Sequence, residues 1–334
     1  MSAPEDEPFT LPAGLPRAAP GRVRVLSLSG GGYRGLFTAA LIRALEARLG
    51  PDPARPTPFG QRFDLIAGTS IGGILATALS CRATGAALQA LLQRRGSSIF
   101  PPMRLRGLRK LLGRAPYDPQ RLRSAICELL PDAEQQLLGE HAPALLLTTV
   151  NWTTSKLQLL GSRPTLGQRD QLGLTLMDAM LATSAAPAHF PAHSFQHHRF
   201  VDGGLAANAP DLHALQCAQQ MYPGAEVHML SIGTANPLHG RDPSAVPGRG
   251  LMWAGPVIEL VTSAQEMLAV QECAARMGTH RYLRLNMPPS SAQQKQLDFD
   301  VADQTSTDLL LSLADDCLAS LQPADWHRLK AIVG

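Results

Sequence analysis

Two glycine-bounded junctions between a strand and a helix constrain this chain more than any bulk property. The first follows Val23–Ser29, a short β-branched and leucine run. There Gly30-Gly31-Gly32-Tyr33-Arg34-Gly35 leads into Leu36–Leu49, whose apolar residues keep helical spacing until Gly50-Pro51 stops them. The second follows Phe63–Ala67, where Gly68-Thr69-Ser70-Ile71-Gly72 opens the apolar helix Ile71–Leu79. Further strands are expected at Ala144–Val150, Lys156–Leu160, Arg199–Val201, Val227–Ile232 and Tyr282–Leu285. Further helices are expected at Arg121–Leu130, Thr175–Thr183, Pro210–Met221, Trp253–Arg276, Asp303–Ala319 and Ala324–Ile332. This alternation predicts an α/β fold, a three-layer sandwich around a largely parallel central sheet. No internal repeat supports a solenoid. Pro4, Pro8, Pro12, Pro16 and Pro20 forbid regular structure at the start, so residues 1–20 read as a flexible arm. No long linker follows, and residues 21–334 read as a single domain.

Composition removes several function classes. Of 334 residues 45% are hydrophobic, enough for a sizeable core, and 29 Gly with 27 Pro fall short of a low-complexity chain. Aromatics at 5% leave few platforms for stacking single-stranded nucleic acid, and a net charge of +3 is too mild to imply a polymer partner. The five cysteines, Cys81, Cys127, Cys217, Cys273 and Cys317, resemble neither a metal knuckle nor a disulfide framework. The acidic start MSAPEDEPFT has no secretory pattern, and no run of 18 apolar residues occurs. The expectation is a cytoplasmic chain that meets a membrane only from the surface.

The mild net charge hides an asymmetry. Between Arg94 and Arg123 stand nine basic residues and one acid, Asp118. Within it MRLRGLRKLLGR, at 103–114, interleaves leucine with arginine, the pattern of a solvated face or of a peripheral membrane contact. Asp298, Asp300, Asp303, Asp308, Asp315 and Asp316 form an acidic stretch that could pair with it, within the chain or across a homo-oligomer.

Gly30, Gly32 and Gly35 fit G-x-G-x-x-G between a strand and a helix, the setting of a dinucleotide cradle. A ribose-binding acid is then due about 20 residues on, yet Asp52 sits in a Pro-Asp-Pro turn and Asp64 inside the second strand. The same backbone amides can instead hold a transient oxyanion, provided a nucleophile exists. Gly68–Gly72 matches G-x-S-x-G, in which a tight turn raises the serine hydroxyl above the sheet edge. Ser70 is the candidate nucleophile and needs a base. His189, His193, His197 and His198 precede Asp202, but Pro187 and Pro191 break any helical metal face, and no metal site is expected. Asp202-Gly203-Gly204 places a carboxylate on an open turn at a strand end. Taken alone, that is ordinary turn chemistry.

The three motifs in this order resemble the patatin-like phospholipases, from about Val23 to at least Gly233. AGTSIGG, ATSAAPAHFP at 182–191, FVDGGLAANAPDL at 200–212 and LSIGT at 230–234 share the likeness. The resemblance implies a lipid acyl hydrolase with a serine–aspartate dyad and no catalytic histidine. Ser70 would be the nucleophile, Asp202 the base, and Gly30, Gly31 and Gly32 the oxyanion hole. Arg34 matches the family's basic position, while Gly68, Gly72, Gly203 and Gly204 shape the two turns. Ser29 stands where many members carry Asp, which leaves the dyad untouched. More narrowly, LSLSGGGYRGLFTAALIRALE and GTSIGGILA look like patatin-like effectors of bacterial anti-phage systems, which a cyclic dinucleotide switches on to degrade membrane phospholipid. That implies no cofactor for the chemistry, a cyclic dinucleotide as activator, and action at the inner membrane face. Two other readings stay open: an acyltransferase using the same acyl-enzyme, and a non-catalytic dinucleotide-binding regulator using Gly30–Gly35.

Overall fold

The computed structural model describes residues 21–50, 58–102, 116–140, 144–162, 173–236 and 254–334. The proline-rich arm and the 103–114 segment lie outside the described residues. The strands are β1 (Arg22–Leu28), β2 (Leu65–Thr69), β3 (Ala144–Asn151), β4 (Lys156–Gly161), β5 (His193–Phe195), β6 (His198–Asp202), β7 (Glu226–Ile232) and β8 (Tyr282–Leu285). They form one sheet in the order β5-β6-β3-β2-β1-β7-β8, with β4 also paired to β3. Five neighbours, β3-β2-β1-β7-β8, run parallel; β4, β5 and β6 pair antiparallel at one side. The result is the expected α/β architecture with a largely parallel centre.

The helices are α1 (Gly35–Leu49), α2 (Ile71–Ser80), α3 (Gly85–Ile99), α4 (Pro119–Leu129), α5 (Leu176–Thr183), α6 (Gly204–Ala207), α7 (Asp211–Met221), α8 (Ala254–Met277), α9 (Ser291–Gln294), α10 (Gln304–Ala319) and α11 (Pro323–Val333). Parallel strands buried on both faces read as continuous apolar runs, and their alternate residues feed two cores. Leu26, Leu28, Ile66 and Leu230 join the larger core under α1, α2 and α10. Val25, Leu65, Leu146 and Met229 join the smaller one under α7 and α8. Helices change face because chain order reverses at β1, flanked by β2 on one side and β7 on the other. A right-handed crossover in each direction puts its helix on the opposite face. A crevice therefore opens beyond the carboxyl end of β1, where such sheets bind ligands.

Four elements escaped the sequence reading: the one-turn helices α6 and α9, helix α3 and strand β5. Helix α3 carries Gln89, Gln93, Arg94, Arg95 and Gly96 along its length, which blurs its apolar stripe. Thr84 starts it by accepting a hydrogen bond from Ala87 N–H at 3.2 Å, and Gly96 makes room for the Tyr33 ring. Strand β5 is three residues long beside Pro191.

Along α8, Val257, Leu260, Val261, Met267 and Leu268 are exposed, and polar Gln265 and Glu266 turn inward instead. Five of the nine basic residues of the 94–123 segment lie outside the described residues. Of the others, Arg94 and Arg95 share Glu128 and Arg123 pairs with Glu134, while in the acidic stretch Asp303 caps α10.

Candidate active site

Ser70 ends β2 and caps α2 with φ +55° and ψ −127°, a left-handed conformation that a side chain rarely adopts. The turn around it is closed too tightly for side chains. A Cβ on Gly68 would strike the Gly72 carbonyl, and one on Gly72 would strike the Leu28 carbonyl. Thr183 holds the turn from below: Ser70 N–H donates to Thr183 Oγ1 at 2.9 Å, and that hydroxyl donates to Thr148 O at 2.6 Å. The positive end of α2 lies behind the serine, favouring negative charge on Oγ.

Register brings the carboxylate over from the antiparallel side. Thr69 stands opposite Thr148, and the next residue of β3, Thr149, stands opposite Asp202. Strand β6 thus ends level with Ser70, two strands away. Ser70 Oγ donates to Asp202 Oδ2 at 2.6 Å, and Gly204 N–H donates to Asp202 Oδ1 at 2.7 Å. Asp202 is buried, and burial pushes its carboxyl up to about 6, against the lowering effect of the hydrogen bonds from Ser70 and Gly204. Gly203 lies against Thr148, where a side chain would collide with its hydroxyl and carbonyl.

The first glycine turn sits over Ser70 at the end of β1. Gly30 N–H is already committed, donating to Asn208 O at 3.0 Å. Gly31 and Gly32 N–H have no hydrogen-bond acceptor among the described residues. Gly32 has φ +58° and lies against Phe299, whose carbonyl accepts from Tyr33 N–H at 2.8 Å. Arg34 points its Nε at Gly31 O, 3.4 Å away. Burial draws the Arg34 guanidinium below its ordinary range, and Glu266, Asp298 and Glu259 counter this. Of the acids considered for a ribose, Asp64 accepts from Arg24 N–H at 2.7 Å, at the amino end of the sheet far from the glycine turn. Asp52 lies outside the described residues.

Beside Ser70 lies a small apolar recess. Ile74, Leu92, Ile99, Phe100, Phe190 and Phe299 line it. Such a lining suits hydrocarbon better than a polar group. Two of the described histidines face other acids: His193 bonds Asp178 at 3.1 Å and His189 lies 3.4 Å from Asp300. Sequence reasoning gave no role to Thr183, Asn208, Thr234 or Glu266, although the first three lie in the stretches 182–191, 200–212 and 230–234 that share the family likeness. What each does depends on a contact more than 50 residues away in sequence.

The site thus brings together a raised serine on a strand-to-helix turn, a buried carboxylate bonded to it and two glycine amides above it. The sequence pattern of the patatin-like phospholipases matches residues 26–215. Three relatives match over most of their length, each named "cGAMP-activated phospholipase". The one from Pseudomonas aeruginosa is 34% identical over 82% of each chain. Those from Vibrio cholerae and Escherichia coli are both 32% identical, over 83% and 92% of this chain and 85% and 92% of their own. The chain belongs to the patatin-like phospholipase family and is a hydrolase.

Proposed function

We propose that this phospholipase cleaves fatty-acyl esters of membrane phospholipids with a Ser70–Asp202 dyad. The observation that carries the reading is the 2.6 Å hydrogen bond from Ser70 Oγ to a carboxylate that burial has made more basic. Ser70 Oγ attacks the ester carbonyl carbon while Asp202 takes its proton. The carbonyl oxygen gains negative charge beneath Gly31 and Gly32 N–H, which form the oxyanion hole. Gly30 belongs to its frame rather than its donors, since its own N–H is committed. Asp202 then passes the proton to the leaving lysolipid oxygen. Water, deprotonated by Asp202, attacks the acyl-enzyme and releases the fatty acid. Gly68, Gly72, Gly203 and Gly204 set the two turns, and Arg34 braces the hole beside the lipid phosphate.

The relatives' names support a cyclic dinucleotide as activator, and the sequence resemblance supports a role in anti-phage defence at the inner face of the membrane. No described helix is long and apolar enough to cross a membrane, which agrees with substrate reached from the surface. A homo-oligomer and a peripheral contact through 103–114 complete the proposal.

The test is phospholipid hydrolysis by wild type and Ser70→Ala, each with and without a panel of cyclic dinucleotides. Wild type releases free fatty acid when the activating nucleotide is present, and Ser70→Ala loses on the order of 10⁶ in kcat. A Ser70→Ala protein retaining most of its activity refutes the dyad. Full wild-type activity without nucleotide refutes the switch.

A further inference from the structure

The peptide between Gly30 and Gly31 is held from behind with unusual thoroughness. Its carbonyl, Gly30 O, accepts from Thr234 Oγ1 at 2.9 Å and from Asn208 Nδ2 at 3.4 Å. In a planar trans peptide the C=O and the following N–H point in opposite directions. Anchoring Gly30 O on one side therefore aims Gly31 N–H out of the other. Gly30 N–H, bonded to Asn208 O, removes the remaining freedom of the turn. One residue on, Arg34 N–H donates to Gly31 O at 3.2 Å and acts on Gly32 N–H in the same way.

The two anchors differ in what holds them. Thr234 has a single hydroxyl proton and two acceptors in reach, Gly30 O and Asn236 Oδ1, each at 2.9 Å. Asn208 has two amide hydrogens, and Glu266 Oε2 takes one at 2.6 Å, which leaves the other for Gly30 O. Glu266 thereby decides which end of the Asn208 amide faces the glycine turn. An ionised carboxylate only accepts, so Nδ2 must point towards it; the flipped amide would set two oxygens against each other. Glu266 is buried, accepts from Asn236 Nδ2 at 2.6 Å and is paired with Arg284. Arg284 sets a guanidinium against Glu266 Oε1, and burial, which lowers that guanidinium, is outweighed by Glu266, Asp211 and Tyr282, which raise it.

We propose that Thr234 and Asn208 are positioning residues that aim the Gly31 amide at the reacting oxygen, with Glu266 fixing the orientation of the Asn208 amide. The inference rests on the acyl-hydrolase reading above. Neither residue touches substrate; each acts through the glycine peptide.

The experiment compares Thr234→Val, Asn208→Ala, their double variant and Thr234→Ser in the full chain, on a soluble p-nitrophenyl acyl ester with any activating nucleotide saturating. A mis-aimed donor weakens the transition state more than the bound ester. Thr234→Val and Asn208→Ala should each lower kcat about 10-fold, and together about 100-fold or more, below the full loss of an oxyanion donor for each single change. KM should stay within about twofold. Thr234→Ser, which keeps the hydroxyl, should regain at least about a third of wild-type kcat. Inactivation by a fluorophosphonate, which also places charge on an oxygen, should slow in parallel. Thr234→Val is nearly isosteric, so it carries the test even where Asn208→Ala folds poorly. The inference is overturned by kcat within twofold of wild type in Thr234→Val, by losses confined to KM, or by Thr234→Ser being as damaged as Thr234→Val. If wild type does not cleave the ester at all, the acyl-hydrolase reading falls first and takes this inference with it.

Discussion

In the proposed dyad Asp202 is asked to do two things that conflict. A base buried beside an apolar recess is more basic, and the same burial destabilises its charged form. Activity needs the carboxylate, so kcat/KM should be flat above pH 7 and fall about tenfold per pH unit below about 6, where Asp202 protonates. A pH–rate profile on a soluble ester, whose limb moves or vanishes in Asp202 variants, checks this. The stability consequence runs the other way. The folded-state value, about 6, lies above the ordinary 3.8, so folding binds the proton more tightly. The stabilising contribution is complete below 3.8 and is lost as pH rises through about 6. Asp202→Asn should therefore be inactive yet more stable than wild type by up to about 3 kcal/mol at pH 8, with the gap narrowing as pH falls below about 6 and closed below 3.8. Thermal or denaturant unfolding across this pH range measures it, and a gap that fails to close on acidification refutes the assignment. Ser70 and Asp202 were legible in the sequence because their turns need glycine neighbours. The roles of Thr234, Asn208 and Glu266 were not, since each depends on a contact more than 50 residues away in sequence.

At the scale of elements, the strand–turn–helix junctions carry the most weight. The start of α2 is wedged against the end of β1, with Gly72 against the Leu28 and Ser29 carbonyls. Gly72→Ala should overpack that contact and lower the unfolding free energy by about 1–3 kcal/mol, read as a lower midpoint at an unchanged denaturant slope. It should also cut kcat by up to about 100-fold, since the serine moves relative to the glycine turn. Unfolding curves and ester turnover on the same preparation separate the two effects. Strands of the parallel centre were legible because burial on both faces makes them continuous apolar runs bounded by glycine. Helix α3 was not, because it lies over the glycine turn and its arginines serve Glu128 on α4 rather than marking a solvated loop. Strand β5 exists only as an edge partner of β6, and three residues carry too little periodicity to be seen.

Across the whole molecule, a second buried carboxylate ties the sheet together below the site. Asp211, at the start of α7, accepts from Ser27 Oγ on β1 at 2.6 Å, Ser231 Oγ on β7 at 2.7 Å and Tyr282 Oη on β8 at 2.6 Å. One side chain thus spans three neighbouring strands, and none of its partners is near it in sequence. Tyr282→Phe removes one donor to a charged acceptor and should cost about 1.5–3 kcal/mol on denaturant unfolding, with turnover at 25 °C unchanged. A loss below 0.5 kcal/mol would show that water replaces the phenol. The order of strands and their order in the chain are quite different things here, and the antiparallel arrival of β6 has a consequence for biosynthesis. Ser70 leaves the ribosome 132 residues ahead of Asp202, and Glu266 follows 64 residues later still. At roughly 5–20 residues per second several seconds separate the emergence of the proposed nucleophile from that of its proposed base. On the proposed dyad, acyl transfer therefore waits until β6 has been made and has paired with β3.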